Sequence, residues 1–125
     1  MKNEKGFSLL SIMIAMIMIS VGVMALAKNN AQIVEAHNLA SAKSTALSIA
    51  RAHMERLRTL DPLTLASESA VLVDNEGATS STGPFTRTVV VDNVSHNLKR
   101  VIVRVTLPQF TEPVELVTLT YFNTA

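Results

Sequence analysis

Five side chains could carry acid–base or metal chemistry, three of them histidines and two glutamates. His37, His53 and His96 stand at spacings that match no metal-ligand motif. We expect His37 and His53 on the polar side or boundary of a helix and His96 in a turn, each solvated. Glu112 and Glu115 flank a proline and could draw together a cation, but solvated loop charge explains them better. With no cysteine, no glycine-rich phosphate loop and no nucleophile elbow, the sequence predicts no enzyme, no metal site and no cofactor.

Composition narrows the class of partner. The chain has 125 residues and a formal net charge of +1, and only 4% of its residues are aromatic. One small domain fits this length. Neither the weak charge nor the few aromatic rings suit a surface that binds and stacks on nucleic acid. We therefore predict no nucleic-acid partner.

Charged residues are absent from one long apolar stretch. Residues 7–27 contain no charged side chain, whereas Lys2 and Lys5 precede the stretch and Lys28 ends it. As a helix, these 21 residues would span roughly 31 Å, close to the thickness of the hydrocarbon core of a bilayer. Because basic residues favour the cytoplasmic side, the short N-terminal end is expected inside and the rest of the chain outside.

Three interpretations of this stretch compete. A cleavable secretory signal would be cut after Ala25-Leu26-Ala27, which has the small-x-small form of a cleavage site. The stretch is longer than the usual apolar region of such a signal, however, and Lys28 would follow the cut directly. The second interpretation is a plain single-pass anchor. The third depends on the residues at the start of the stretch.

The stretch opens with Lys5-Gly6-Phe7-Ser8-Leu9-Leu10 behind a short charged leader. This N-terminus resembles the type IV pilin family, in which the leader ends in Gly before Phe or Met. The resemblance implies that a membrane-embedded prepilin peptidase cuts between Gly6 and Phe7, and that the new amine of Phe7 is methylated. Glycine has no side chain, so it lets the backbone approach a protease closely. A cut at this place leaves the apolar helix on the mature protein.

One residue departs from the pattern of the family. Most pilins carry Glu at the fifth mature position, which is Ser11 when Phe7 is counted as the first. In the family this Glu pairs with the N-terminal amine of a neighbouring subunit, since a buried carboxylate is costly unless it is paired. Members without it include one class of tip pseudopilin. We therefore expect a place at or near the filament tip, or entry by pairing with another minor subunit; the alternative is that serine is simply tolerated.

Gly22 lies late in the apolar stretch. A glycine inside a helix costs roughly 0.5–1 kcal/mol relative to alanine. Pilins often keep a helix-weakening residue in this region, and the resemblance implies that the helix loosens here when the subunit leaves the membrane. A small residue for close packing of membrane helices is the compatible alternative.

The helix is expected to continue over residues 7–59, about 80 Å, until Asp61-Pro62 stops it. Its second half is amphipathic, and Leu39 and Ala46 lie beside the apolar stripe. The residues of the stripe recur at steps of three and four: Ala36, Ala40, Leu47, Ala50, Met54 and Leu57. The Leu-Ala repeats and the Glu55-x-x-Arg58 near the helix end resemble the PilV minor pilin and GspI pseudopilin branch.

Four strands are predicted after a connector at 62–70, namely 70–74, 85–92, 99–107 and 114–122. The third alternates, with Val101, Val103, Val105 and Leu107 on one face. Turns are expected at 75–77 and at Asp92-Asn93, and a mobile loop at 78–84. The economical architecture is α+β, a helix packed on a small antiparallel sheet, which is also the pilin fold.

Together these features predict a leader at 1–6, a membrane and assembly segment at 7–27, an amphipathic helix at 28–61 and a periplasmic sheet domain at 62–125. The resemblance implies a minor pilin or pseudopilin, a structural subunit of a type IV pilus or a type II secretion filament. Its expected partners are other pilins, the prepilin peptidase, the inner-membrane assembly platform and, before assembly, membrane lipid. The other class of function is a single-pass inner-membrane protein with a periplasmic binding or sensor domain.

Overall fold

The computed structural model describes residues 4–123, with side chains from Ser8 onward. One helix, α1 (Glu4–Arg58), fills the first half of the chain, which confirms the predicted long helix. It ends as expected before Asp61-Pro62. The N–H groups of Thr59 and Leu60 already bond to carbonyls three residues back, at 3.2 and 3.1 Å, so the last turn is tightened. Because the ring of Pro62 disfavours a helical residue before it, Asp61 is extended, with φ −60° and ψ 126°.

Four antiparallel strands follow a short 3₁₀ turn at Pro62–Thr64. They are β1 (Glu68–Val73), β2 (Phe85–Ser95), β3 (Leu98–Thr106) and β4 (Val114–Tyr121), and they lie side by side in chain order. All four predicted strands are confirmed, with two ends as predicted and the others shifted by one to three residues. The helix, a helical turn and then an antiparallel meander give the predicted α+β, pilin-like layout.

The turn predicted at Asp92-Asn93 is wrong, because β2 continues to Ser95. Asp92 stands opposite Arg100 on β3, and its carboxylate accepts a hydrogen bond from the guanidinium at 3.0 Å. This cross-strand pair compensates for the low strand propensity of aspartate. The chain reverses instead at residues 96–97, so His96 does lie in a turn, as predicted. The turn predicted at 75–77 is confirmed, and Gly77 takes the positive φ of 87° that this turn requires.

The chain divides into two compact units, Met1–Ala40 and Ser41–Ala125. In the second unit, α1 residues from Ala46 to Leu57 pack on the inner face of the sheet. The predicted alternation of β3 is confirmed, since Val101, Val103 and Val105 are almost completely buried and Leu107 continues the same face. Phe85 and Phe110 are also buried in this core. Without disulfides, this apolar contact is what holds the unit together.

The predicted stripe on the helix is right at its C-terminal end and wrong at its N-terminal end. Ala46, Ala50, Met54 and Leu57 are buried, and Leu47 is half-buried. Ala36, Leu39 and Ala40 are exposed, because the sheet covers α1 only from about residue 42 onward. Ile49, which the prediction omitted, is buried beside Ala50. Three- and four-residue spacing gives the direction of an apolar face but not how far a partner covers it.

The prediction of a solvated His53 is also wrong, since this side chain is only 8% exposed. Its Nε2 lies 3.1 Å from a carboxylate oxygen of Glu68 on β1. Burial, and then the nearby positive charge of Arg87, lower the pKa of His53, while Glu68 opposes them. His53 follows Ile49 by four residues and precedes Leu57 by four, so its spacing placed it on the buried face.

Candidate processing and assembly segment

The expected processing site lies at the beginning of α1. Residues 1–3 of the leader lie outside the described residues, and Gly6 and Phe7 are described by their backbone, which is helical. The bond between them falls in the first turn, where the N–H groups have no carbonyl partner within the helix. Opening this turn for a protease therefore breaks few hydrogen bonds. A cut here would also remove less than one full turn from the helix.

The apolar segment, residues 8–27, shows its side chains to the surroundings on every side. The large apolar residues among them are between 50% exposed at Ile14 and 78% exposed at Met24. A helix that is apolar all round is normally buried in a large core or in a membrane. Monomeric soluble proteins rarely expose a contiguous apolar surface of this extent. This segment is therefore suited to an apolar environment that the described part of the chain does not supply.

By length and composition, α1 is a candidate membrane span that begins near the N-terminus. The segment contains no charge from Phe7 to Ala27. One of its hydroxyl groups is satisfied within the helix, because Ser20 Oγ donates to the carbonyl of Met16 at 2.8 Å. Such a bond lowers the cost of a hydroxyl in lipid. A signal sequence would share these features, so the residues at the helix start carry the distinction.

The expected assembly residues lie on one continuous helix. Ser11 follows Phe7 by four residues, so it lies one turn further along and on the same face. A charged group at position 11 would therefore stand beside an amine formed by a cut before Phe7. Ser11 is exposed and brings no charge to this place.

Gly22 lies eleven residues beyond Ser11, which is close to three full turns, so it shares that face. A Cβ placed on Gly22 would meet nothing within 4 Å. None of the residues that the structure describes therefore requires a glycine here. A small residue on this face allows close approach of another helix.

The other residues with potential chemistry belong to other parts of the chain. His37 is exposed on α1 and His96 is exposed in the β2–β3 turn. The prediction of a solvated loop charge at Glu115 is wrong, because this residue lies on β4 and its carboxylate accepts a hydrogen bond from the Arg104 guanidinium on β3. Among the residues that the structure describes, no group of three or more acidic or histidine side chains could hold a metal ion.

Comparison with known proteins gives one finding. A family model described as the prokaryotic N-terminal methylation motif matches residues 1–27. Comparison with curated proteins and with solved structures finds no match. The matched residues contain both the expected cut and the whole uncharged segment. The motif therefore indicates a substrate of the prepilin peptidase and supports a type IV pilin-like family for this chain.

Proposed function

We propose that this chain is a minor pilin or pseudopilin of the PilV and GspI type, a structural subunit of a type IV pilus or a type II secretion filament. The observation that supports this most directly is the position of the methylation motif at the head of a helix segment with large, exposed apolar side chains. A processing enzyme that cuts after Gly6 keeps this segment on the mature protein. A filament subunit needs this segment first as its anchor in the lipid and then as the surface that packs against other subunits.

In this proposal the apolar segment holds the subunit in the inner membrane, and residues 41–125 fold in the periplasm. Lys2 and Lys5 keep the leader in the cytoplasm, where the peptidase removes it. Filament assembly then replaces lipid with the helices of neighbouring pilins. The assembly platform of the inner membrane is the partner that would extract the subunit.

Ser11 bears on the position in the filament. Helix geometry puts residue 11 beside the amine of Phe7, and a positive charge buried among apolar helices is costly without a partner. This chain offers no carboxylate there, either to its own amine or to that of a neighbour. We therefore place it at or near the tip, or in the complex that primes assembly. Replacing Ser11 with Glu should spread labelled subunits along the filament, and unchanged incorporation and position would remove the basis for this placement.

The N-terminus of the mature protein tests the proposal as a whole. Mass spectrometry of the membrane-bound chain should find methylated Phe7 as the first residue. An intact Met1 would point to the sensor or binding protein with a single anchor, and a start at Lys28 would point to a secretory signal. The variant Gly6→Leu should remain uncut, because its side chain blocks close approach to the backbone. Gly22→Ala, a glycine change in the same helix, serves as the matched control and should be cut normally.

A further inference from the structure

The two edges of the sheet are not equivalent. At the β1 edge, Ser80 N–H donates to the carbonyl of Leu72 at 2.9 Å, and Thr79 forms a bridge with Val73. The pairing of β1 with β2 is also irregular between Glu68 and Val71. These features protect β1, since loops and bulges are the usual means of closing a sheet edge. At β4, by contrast, the pairing with β3 is continuous over the whole strand, and nothing within residues 4–123 pairs with its other side.

Alternate residues of β4 direct their backbone N–H and C=O groups toward this open edge. Phe122 N–H donates to the carbonyl of Asn97 at 3.0 Å, and these two residues continue the register in which Tyr121 stands opposite Leu98. In an antiparallel ladder, residues alternate between those bonded to the neighbouring strand and those directed away from it. The residues directed toward the open edge are therefore Glu115, Val117, Leu119 and Tyr121.

The same residues carry their side chains on the outer face of the sheet, opposite the core. Val117 is 57% exposed, Leu119 59% and Tyr121 69%. The half-buried Leu98 and Ile102 of β3 lie directly across from Tyr121 and Val117. The result is an apolar row along the open edge.

The charges next to this row are already paired. Arg104 binds Glu115, and Arg100 binds Asp92. No free charge is left in the row, so it has no preference for a charged partner.

We propose that the open edge of β4 binds an extended strand of a second protein, with uncharged apolar side chains at alternate positions. An extended strand is the structure that bonds to the free N–H and C=O groups and packs against the apolar row at the same time. A helix could cover the row but would leave the backbone groups of the edge without partners. An unprotected apolar edge of this length is otherwise an aggregation hazard.

A second copy of this chain fits the edge locally. Pairing about Thr118 would set Val117 of one copy against Leu119 of the other, with Glu115 opposite Tyr121. Such a pair needs a two-fold axis normal to the sheet, however.

Within the second unit, α1 runs along the sheet, with Ile49 beside Gly77 just beyond one end of β1 and His53 beside Glu68 at the other end. The axis therefore puts the ends at which the chain enters the two units on opposite sides of the pair. On the proposed function, both apolar segments must enter one membrane in the same orientation. At this step the inference rests on the proposed function, because the common membrane orientation is what requires the partner to be a different protein.

The test uses the full chain in the membranes of the cell that makes it, with a photo-reactive amino acid at Val117. We expect an adduct whose cross-linked peptide is an extended, alternately apolar segment of another protein. Leu119→Pro removes an N–H that faces the open edge and leaves the β3 ladder intact. It should lower the yield of the adduct roughly tenfold, the effect of one lost backbone hydrogen bond. The matched variant Leu119→Thr keeps this N–H and should lower the yield clearly less.

A photo-reactive amino acid at Leu72, on the outer face of the protected β1 edge, is the positional control. An equal yield at Leu72, equal effects of Leu119→Pro and Leu119→Thr, or an adduct with β4 of a second copy would each overturn the inference. If amide exchange of β3 shows that the proline variant is unfolded, Leu119→Lys replaces it, since lysine also blocks an edge. The digest of the cross-linked protein also identifies its N-terminal residue. A protein that starts at Phe7 but forms no adduct would refute this inference and leave the proposed function standing. An adduct formed by a protein with Met1 intact would refute the proposed function and leave this inference standing.

Discussion

Acid should destabilise the unit formed by residues 41–125 through one buried side chain. His53 lies between α1 and β1, with its Nε2 3.1 Å from Glu68. Burial and the charge of Arg87 lower its pKa below 6.5, and Arg56 adds a smaller effect of the same sign. Glu68 is the one group described around it that favours the proton. The net effect is that the folded state binds a proton at His53 less readily than the unfolded chain does.

The sign and the size follow from this difference in proton binding. Well above pH 6.5 the imidazole is neutral in both states, so His53 adds no pH dependence there. As the pH falls below 6.5, the unfolded chain takes up the proton first and is favoured. The free energy of unfolding should then decrease by at most about 1.4 kcal/mol per pH unit, the limit for one proton. The decrease stops once the pH is below the pKa of His53 in the folded state.

The measurement is urea-dependent hydrogen exchange of β3 amides in the full chain in detergent, corrected at each pH for the intrinsic exchange rate. The variant His53→Gln keeps an amide that can donate to Glu68 but does not titrate, so its slope just below pH 6.5 should be smaller by the contribution of His53. His37 and His96 are present in both proteins and act as internal controls. A variant with the slope of the wild type would refute the assignment to His53.

Four further substitutions test the same unit by hydrogen exchange. Val103→Ala should cost about 2 kcal/mol, since it removes two methyl groups from a completely buried position and leaves a cavity, whereas the exposed Val117→Ala should change less than about 0.5 kcal/mol. Gly83→Ala should destabilise the unit by more than about 1 kcal/mol, because the new Cβ would lie 2.2 Å from a backbone oxygen of β1. Lys99→Met should speed amide exchange in the connector at 62–65, whose carbonyls accept hydrogen bonds from the Lys99 ammonium at 2.8–3.5 Å.

The elements that the sequence predicted well are those fixed by a repeated local signal. The uncharged run at 7–27 depends on twenty-one positions that agree, and β3 on a regular alternation with period two. The helix end was predictable from Pro62, which acts on its immediate neighbours. In each case the physical cause lies within a few residues of its effect.

The failures depend on contacts between distant residues. Asp92 remains in a strand because Arg100 faces it, and the sequence does not reveal that register. His53 is buried because Glu68 on β1 supplies a polar partner under the helix. In the candidate assembly segment, the positions of Phe7, Ser11 and Gly22 on one helix could be predicted. The surface that covers them on the proposed function could not, because the described residues do not supply it.

On the proposed function, the surfaces that select this subunit during assembly lie largely outside the apolar segment. Lipid tails are as apolar as the side chains of residues 8–27, so moving this helix from the membrane into a filament gains little from the hydrophobic effect. Ser11 brings no charge that would choose a neighbour. Selection then falls to surfaces that meet water before assembly, and the exposed Ile33 and Val34 of α1 are two of these. The open edge of β4 is the stronger discriminator, because its hydrogen bonds fix both the direction and the register of a partner strand.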